Sequence, residues 1–309
     1  MFKVIADILV LSFLKAFIGL LGVVPEKFGK ILARAFLGLF FLSMPRIEKV
    51  ALKNLEIIFP EKPLSDRHRI YRESLWALSE NLYGFSKIRS LTPEWVKENI
   101  DFSEIDDALS KAKVECNTTA VLLPTLHVAN SELAIQGGAL FGLKTSILAR
   151  GFGLQKTDRW VNNQRELWGN KMFSRKGGFN ETISRLNGGE RVVLLVDQNV
   201  KRNHAVFVDF FGMPAATTKT VAYAALRTQA PIIFSVPVRL TSGKIKFTAE
   251  RILVPSLEHC EREEAVAQIS RSMNEAAEKV ISAYPEQWFW IHRRFKTRPE
   301  GEPETVYSS

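Results

Sequence analysis

Short apolar runs separated by helix-like segments constrain the fold of this chain more than any other feature. Runs of this kind occupy residues 119–126, 144–149, 191–196 and 231–240. Apolar runs of four to eight residues that are rich in β-branched side chains are typical of buried strands. Strands that alternate with helices along a chain favour a parallel sheet covered by helices. The sequence therefore predicts an α/β fold with a mostly parallel central sheet.

The segments between these runs have the spacing of amphipathic helices, and a hairpin follows the last run. Thr241-Ser242-Gly243 is a turn signal, and it predicts a hairpin that joins residues 231–240 to a strand over residues 244–252. The tail after Arg298 is predicted to be disordered. Helices are predicted over residues 64–90, 104–113, 158–170, 179–186, 215–229 and 261–283.

The N-terminus is apolar enough to interact with a membrane. Residues 4–24 are almost wholly apolar, apart from Asp7 and Lys15, and a run of about 20 residues is long enough to cross a bilayer. The pattern fits either a spanning helix or a helix that lies in the interface. A second apolar stretch, residues 31–44, fits equally a membrane helix or a buried core helix. We expect residues 1–44 to form a membrane-associated helical segment and residues 45–309 to form the main domain.

Charge favours an anionic partner. The chain has 42 basic and 33 acidic residues, for a net charge of +9. Positive charge beside apolar helices is typical of proteins that bind anionic lipid on the cytoplasmic side of a membrane. A nucleic-acid-binding protein is the alternative, but the apolar N-terminus and the lack of an aromatic–basic binding motif speak against it. We expect an anionic membrane surface and no nucleic acid as partner.

Cysteine and histidine are scarce. The two cysteines, Cys116 and Cys260, have no metal-ligand spacing and are too few for a disulfide framework. The five histidines do not cluster with them. The sequence predicts no metal site and no cofactor.

The best candidate for a catalytic base is His127, in the sequence HVANSE at residues 127–132. A histidine just past a buried strand, with a carboxylate nearby, is a plausible general base held by an orienting acid. Residues five apart on a helix point about 140° from each other, so His127 and Glu132 meet only if His127 precedes the helix. Asn130 and Ser131 are good N-cap residues that would start a helix there. A hydrogen-bonded structural histidine is the alternative.

Two further strand ends carry polar residues. Arg150 follows the run at 144–149, and Asp197, Gln198 and Asn199 follow the run at 191–196. Binding sites of parallel sheets lie beyond the carboxyl ends of the strands, so these residues are expected to converge with His127. Arg150 suits a phosphate or a developing oxyanion, or else a surface salt bridge. A carboxylate at the end of a buried strand, such as Asp197, usually has a charged or hydrogen-bonded partner or a functional role. The alternative is that Asp197 caps the following turn.

Taken in order, these motifs resemble the late lipid A biosynthesis (lauroyl/myristoyl) acyltransferase family, within the lysophospholipid acyltransferase group. The resemblance covers nearly the whole chain, and the most specific part is YPEQWFWIHRRFKTRP at residues 284–299. The chain departs from the family pattern at GFGLQ after Arg150, and at Asn199, where a second acid is often found. The other matching pieces are ALKNLEIIFP at 51–60, the His127–Glu132 box, DRWVN at 158–162, RKGG at 175–178, LLVDQ at 194–198 and VFVDFFGMPAAT at 206–217.

The resemblance implies a glycerolipid-acyltransferase-like fold and a defined reaction. A fatty acyl chain would pass from acyl carrier protein to a hydroxyl of a membrane glycolipid, a lipid A precursor, at the cytoplasmic face of the inner membrane. His127 would be the general base and Glu132 would fix its tautomer, while Arg150, Asp197 and Gln198 would contact substrate.

The same resemblance implies a role for the basic segment near the C-terminus. Arg293 and Arg294 would bind glycolipid phosphates or the acidic carrier protein, and a generic basic tail is the alternative. Trp288, Phe289 and Trp290 fit either core packing or an acyl pocket.

No nucleophile lies in a G-x-S-x-G sequence, so direct transfer is favoured over an acyl-enzyme. A different lysolipid or a lipoamino acid as acceptor, and a catalytically silent membrane scaffold, remain as other interpretations.

Overall fold

The computed structural model describes residues 2–128 and 131–308, and its centre is a seven-stranded sheet. The strand order is β1-β9-β8-β2-β5-β3-β4, and neighbours from β8 to β4 are parallel. β9 runs antiparallel to β8, and β6 and β7 form a separate antiparallel hairpin. The strands are β1 (Ile100–Asp101), β2 (Val121–Thr125), β3 (Ser146–Ala149), β4 (Lys171–Ser174), β5 (Arg191–Leu195), β6 (Ala205–Phe210), β7 (Met213–Thr218), β8 (Ile232–Arg239) and β9 (Ile245–Ile252).

Helices cover both faces of the sheet, because consecutive strand residues point to opposite sides. On β2, Leu122 packs into one core, and Val121 and Leu123 pack into the other. α3, α9, α10 and α11 cover the first face, and α5, α6 and α7 cover the second. The helices are α1 (Phe2–Val23), α2 (Glu26–Leu42), α3 (Pro45–Ile58), α4 (Leu64–Lys87), α5 (Pro93–Asn99), α6 (Ser103–Cys116), α7 (Ser131–Leu140), α8 (Gln155–Arg165), α9 (Gly178–Asn187), α10 (Thr220–Thr228) and α11 (Arg262–Ala283). The predicted α/β fold with a mostly parallel sheet is confirmed.

The N-terminal apolar run forms one helix. By length and composition, Lys3–Val23 is able to cross a membrane, and α2 and α3 pass the same test only as a pair bent by 94°. α1 packs against α4 and α8, and α2 packs against α4. The predicted N-terminal apolar helix is therefore present, and it rests on helices of the sheet-containing body.

The predicted helix over residues 215–229 was wrong in its first part. Met213–Thr218 is strand β7, and α10 begins only at Thr220. Ala215 and Ala216 favour a helix by composition, but both are buried and pair with β6. The hairpin turn lies at Phe211 and Gly212, whose φ angles are 52° and 73°. A tight hairpin turn of this kind usually has Asn or Asp before Gly, and Phe211 in that place hid the signal.

The tail predicted to be disordered is in part fixed to the body. Arg298 forms an ion pair with Glu302 at 2.7 Å. The Tyr307 hydroxyl accepts a hydrogen bond from the Phe295 N–H at 3.1 Å, and it also contacts Asn54 of α3. An ion pair and the hydroxyl of one tyrosine therefore fix parts of a segment whose composition alone predicts disorder.

Candidate active site

The register of two neighbouring strands brings His127 and Asp197 together. β2 and β5 are parallel neighbours, and Thr125 lies opposite Leu195. Residues two positions further along each strand, His127 and Asp197, therefore emerge side by side at the carboxyl edge of the sheet. His127 Nδ1 lies 2.7 Å from Asp197 Oδ1. We call this pair the His127–Asp197 dyad.

Asp197 is buried, and both of its oxygens are satisfied. Oδ2 accepts the main-chain N–H of His127 at 2.9 Å and the indole N–H of Trp288 at 2.8 Å. Burial by itself raises the pKa of Asp197, but the His127 charge and these hydrogen bonds outweigh it and hold the pKa well below its usual range. Asp197 is therefore a carboxylate at neutral pH.

His127 is oriented by this carboxylate on one side and is partly exposed on the other. Burial by itself lowers the pKa of His127, but the Asp197 charge and hydrogen bond outweigh it and raise the pKa above the usual value for histidine. Because Nδ1–H donates to Asp197, Nε2 carries the lone pair. The Gln198 amide nitrogen lies 3.3 Å from Nε2, and the His127 side chain is 32% exposed. In this tautomer the neutral ring is able to accept a proton at Nε2.

The loop that carries His127 is held from two sides. Asn81 of α4 donates to the Val128 carbonyl at 3.0 Å, and the Phe289 N–H donates to the His127 carbonyl at 3.1 Å. The helix after His127 begins at Ser131, so His127 precedes it. Asn130, predicted as an N-cap, lies outside the described residues.

The partner predicted for His127 needs correction. Glu132 is the second residue of α7, and its carboxylate forms a bidentate ion pair with Arg165 of α8, with Arg165 Nε donating at 3.0 Å. Asp197 occupies the place at Nδ1 that the sequence assigned to Glu132. The reason is the register of β2 and β5, which puts a carboxylate from another strand closer than the one on the next helical turn.

Arg150 and Gln198 lie at the carboxyl edge of the sheet, as predicted from their strand ends. Arg150 directly follows β3, is exposed, and makes no hydrogen bond or ion pair with the described part of the chain. Gln198 lies against the His127 ring. Asp197, which was expected to contact substrate, instead has both oxygens occupied by His127 and Trp288.

The structure separates the two arginines that were predicted to bind substrate. Arg293 is exposed, whereas Arg294 is 1% exposed and lies 4.9 Å from the centre of the Phe210 ring. Arg294 donates to the Ala216 carbonyl at 2.8 Å and to the Thr217 hydroxyl at 2.9 Å. A guanidinium must be exposed to contact a substrate, and that of Arg294 is buried.

The rest of the C-terminal segment supports the loop after β5. His292 Nε2 accepts the Asn199 N–H at 2.8 Å, and Asn199 also pairs with Thr297 through two hydrogen bonds. Burial lowers the pKa of His292 to about 4, so this histidine is neutral and serves as an acceptor. The segment therefore fixes the residues that follow Asp197.

Sequence reasoning missed two residues that shape the dyad. Trp288 was assigned either to core packing or to an acyl pocket, but its indole N–H binds Asp197. Asn81 carried no signal, because a polar residue on an amphipathic helix is usually solvated. Within residues 2–128 and 131–308, no His, Cys, Asp or Glu side chains form a group suited to a metal ion.

Together, the fold and the dyad define an α/β protein with a histidine and a buried carboxylate paired at the carboxyl edge of a parallel sheet. The sequence matches the bacterial lipid A biosynthesis acyltransferase family over residues 3–297. The chain belongs to this family and is an acyltransferase.

Individual relatives agree along most of the chain. The lipid A biosynthesis palmitoleoyltransferase of Escherichia coli K12 is 28% identical over 262 residues, which cover 84% of this chain and 82% of the relative. The lauroyltransferase of the same organism is 27% identical over 297 residues, 93% of this chain and 92% of the relative. The myristoyltransferase is 25% identical over 284 residues, 91% and 85% of the two chains. These names give three different acyl chains for one family.

Proposed function

We propose that this protein transfers a fatty acyl chain from the thioester of an acyl carrier protein to a hydroxyl of a membrane-embedded lipid A precursor. The observation that carries the proposal is the His127–Asp197 dyad, in which Nδ1 of His127 faces the buried carboxylate and Nε2 lies on the partly exposed side of the ring, 3.3 Å from the Gln198 amide. Family membership supports the reaction class, and the names of the relatives support a lipid A precursor as acceptor.

The chemistry of the dyad follows from its geometry. His127 Nε2 takes the proton of the acceptor hydroxyl while the hydroxyl oxygen attacks the thioester carbonyl carbon. The Asp197 carboxylate stabilises the imidazolium that forms, as the buried aspartate does in hydrolase triads. When the carbon–sulfur bond breaks, the imidazolium returns the proton to the leaving thiolate. The product is an ester, and the free thiol stays on the carrier.

Two side chains at the same edge of the sheet suit the negative charge of the tetrahedral intermediate. The amide of Gln198 lies 3.3 Å from Nε2, so a hydroxyl that binds at Nε2 displaces it, and its N–H groups then become free to face the oxyanion. The exposed guanidinium of Arg150 follows β3, which pairs with β5. Donors aimed at a developing oxyanion stabilise the transition state more than the ground state.

Glu132 takes a positioning role in this mechanism. Its ion pair with Arg165, together with the hydrogen bond from Gln136 to the Arg165 carbonyl at 2.7 Å, ties α7 to α8. α7 begins four residues after His127. Loss of the Glu132–Arg165 ion pair would therefore loosen the support of the His127 loop, while His127 would keep its carboxylate partner, Asp197.

The N-terminal helices suit attachment to the cytoplasmic face of the inner membrane, where such an acceptor is embedded. More than half of the exposed large hydrophobic side chains in the described residues lie on α1 and α2. They include Leu9 and Phe13 of α1 and Phe28 and Leu39 of α2. Exposed apolar surface of this extent is typical of a membrane contact.

A cleft lined mostly by basic side chains suits the acidic carrier protein. A cleft of about 580 Å³ between α3 and the C-terminal segment is lined by five basic residues and one carboxylate, that of Glu56. Phe289 binds the His127 main chain, and four residues of chain span at most about 14 Å, so Arg293 lies within that distance of Phe289. The long prosthetic arm of a carrier protein suits this separation. The basic residues are Arg46, Lys49, Lys53, Arg67 and Arg293.

An assay with purified full-length protein, an acyl carrier protein thioester and a lipid A precursor tests the proposal. Mass spectrometry should show one added acyl chain, and lipid A from a strain without the gene should lack one chain. His127→Ala should reduce turnover by about 10²–10⁴ and leave vesicle binding intact, because only the base is removed.

The matched control is His204→Ala, since His204 is exposed and lies in a short turn before β6. This variant should keep the wild-type rate. A His127→Ala protein that transfers acyl chains at nearly the wild-type rate would refute the assignment of the base.

A further inference from the structure

A second cleft lies where the N-terminal helices meet the body. It has a volume of about 610 Å³, within the range of roughly 300–1,000 Å³ that is usual for small-molecule sites. Its walls are the junction of α1 and α2, one side of α4, and the turn between β8 and β9. We call it the junction cleft. Its charged lining residues are Glu26, Lys30, Glu80, Lys87, Arg239 and Lys244.

A buried carboxylate organises the basic side chains of the junction cleft. Glu80 of α4 is 9% exposed and lies 3.2 Å from Lys30, and Arg34 and Arg239 approach it at 3.5 Å and 3.6 Å. Lys30 also contacts Glu26 at 2.8 Å. A buried charge surrounded by opposite charges holds their side chains in place. The cations at this end of the cleft are thus fixed before any ligand arrives.

The two remaining lysines leave the junction cleft with excess positive charge. Lys87 donates to the Gly22 carbonyl at 2.8 Å, at the end of α1, and Lys244 is exposed on the turn between β8 and β9. Neither lysine forms a salt bridge with a carboxylate of the described residues. Four cations line the cleft against two carboxylates. An anionic ligand would balance this charge.

The junction cleft also adjoins the two helices next to the His127 loop, α4 and α7, and the apolar N-terminal helices. Leu133 of α7, two residues into the helix that follows the His127 loop, lines it, and so does Gly84 of α4. Three residues earlier on α4, Asn81 holds the carbonyl of Val128. Val24 and Pro25 line the cleft at the end of α1, next to exposed Val23. A ligand with apolar chains in a membrane and a phosphate in the cleft fits this arrangement.

We propose that the junction cleft binds a phosphate group of the glycolipid acceptor, with Lys87 and Lys244 as direct contacts and Glu80 as a positioning residue. This inference rests on the proposed function for the identity of the acceptor. The charge and the volume of the cleft point to a phosphorylated sugar, and the neighbouring apolar helices point to a lipid that carries it.

Equilibrium binding without an acyl donor tests this site independently of turnover. The full-length protein, Lys244→Gln and Lys87→Gln/Lys244→Gln are titrated with a phosphorylated glycolipid and with the same glycolipid after removal of its phosphate. Lys244→Gln should raise the Kd of the phosphorylated ligand about tenfold, as expected for loss of a hydrogen bond to a charged group, and the double variant should raise it further. The Kd of the dephosphorylated ligand should be the same for all proteins. Lys113→Gln, on the exposed side of α6, is the matched control and should bind as wild type does.

Vesicle binding separates the two sources of a lipid phosphate. If the acceptor provides it, Lys244→Gln binds phosphatidylglycerol and phosphatidylcholine vesicles as wild type does. Weaker binding to phosphatidylglycerol vesicles, with an unchanged Kd for the phosphorylated acceptor, would assign the cleft to a phospholipid headgroup and overturn the proposal. Equal weakening for both forms of the acceptor would also overturn it. A wild-type protein that binds the phosphorylated acceptor but transfers no acyl chain would instead refute the proposed function.

Discussion

At the scale of single residues, Asp197 makes every contact that a buried carboxylate needs. One oxygen faces the His127 ring, and the other accepts N–H groups from the His127 main chain and from Trp288. The same residue therefore fixes the ring, the loop that carries it and the aromatic side chain behind it. An amide in place of this carboxylate would keep the shape but remove the charge that stabilises an imidazolium.

Substitution of Arg294 should affect stability and substitution of Arg293 should affect activity, because Arg294 is buried and Arg293 is exposed. Arg294→Ala should lower the free energy of unfolding by about 3 kcal/mol, since it leaves the Ala216 carbonyl and the Thr217 hydroxyl without their buried donor. Arg293→Ala should unfold as wild type does and should raise the apparent KM of the acyl carrier protein thioester. Urea unfolding in detergent and steady-state kinetics measure the two effects. A destabilised Arg293→Ala, or an Arg294→Ala of wild-type stability, would contradict this division.

At the scale of secondary-structure elements, α1 is tied to the body near both ends. The Asp7 carboxylate accepts the N–H groups of Lys156 and Thr157, at 2.8 Å and 3.0 Å, in the first turn of α8. Near the other end, the Gly22 carbonyl accepts from Lys87. Fifteen residues of helix separate the two ties by about 22 Å. A helix held at two such points lies along the body, which favours the interfacial arrangement over a spanning one.

Amide hydrogen exchange on vesicle-bound protein tests the arrangement of α1. If α1 lies along the body, the amides of Lys156 and Thr157 stay protected in wild type and exchange faster in Asp7→Ala, which lacks their acceptor. Lys15→Ala is the control, because Lys15 is exposed on the same helix and should leave α8 unchanged. Wild-type protein whose Lys156 and Thr157 amides are unprotected on vesicles would indicate that α1 has left the body.

At the scale of the whole molecule, the parts of the fold that depend on local pattern could be predicted from the sequence. The strands that precede His127, Arg150 and Asp197 were found, because buried parallel strands are unbroken apolar runs. Both members of the dyad were candidates. Their pairing was not predicted, because it depends on the register of β2 and β5, which lie 70 residues apart in the chain at His127 and Asp197.

The sequence also did not reveal which charged side chains are buried. Arg293 and Arg294 are identical in type and adjacent, and only packing decides that Arg294 inserts beneath Phe210. The β6–β7 hairpin was missed for a similar reason, since pairing with a neighbour overrode the helix propensity of Ala215 and Ala216. Long-range packing determined both outcomes.

The titration of His127 tests the central claim, that Asp197 and not Glu132 is the carboxylate that acts on the base. The chain has only five histidines, so NMR of ¹⁵N-histidine-labelled protein resolves His127, which is identified by the signal that His127→Ala lacks. Asp197 raises the pKa of His127, so the ring should stay protonated to a higher pH than a free histidine in wild type. A general base must be neutral, so kcat/KM should rise with pH through the same pKa.

The two carboxylate variants should then differ. In Asp197→Asn the burial remains and the charge is lost, so the pKa of His127 and the acid limb of kcat/KM should both move to lower pH. In Glu132→Gln the rate should fall, because α7 loses its tie to Arg165, but the pKa of His127 should match wild type. A pKa that falls in Glu132→Gln and stays unchanged in Asp197→Asn would contradict the account.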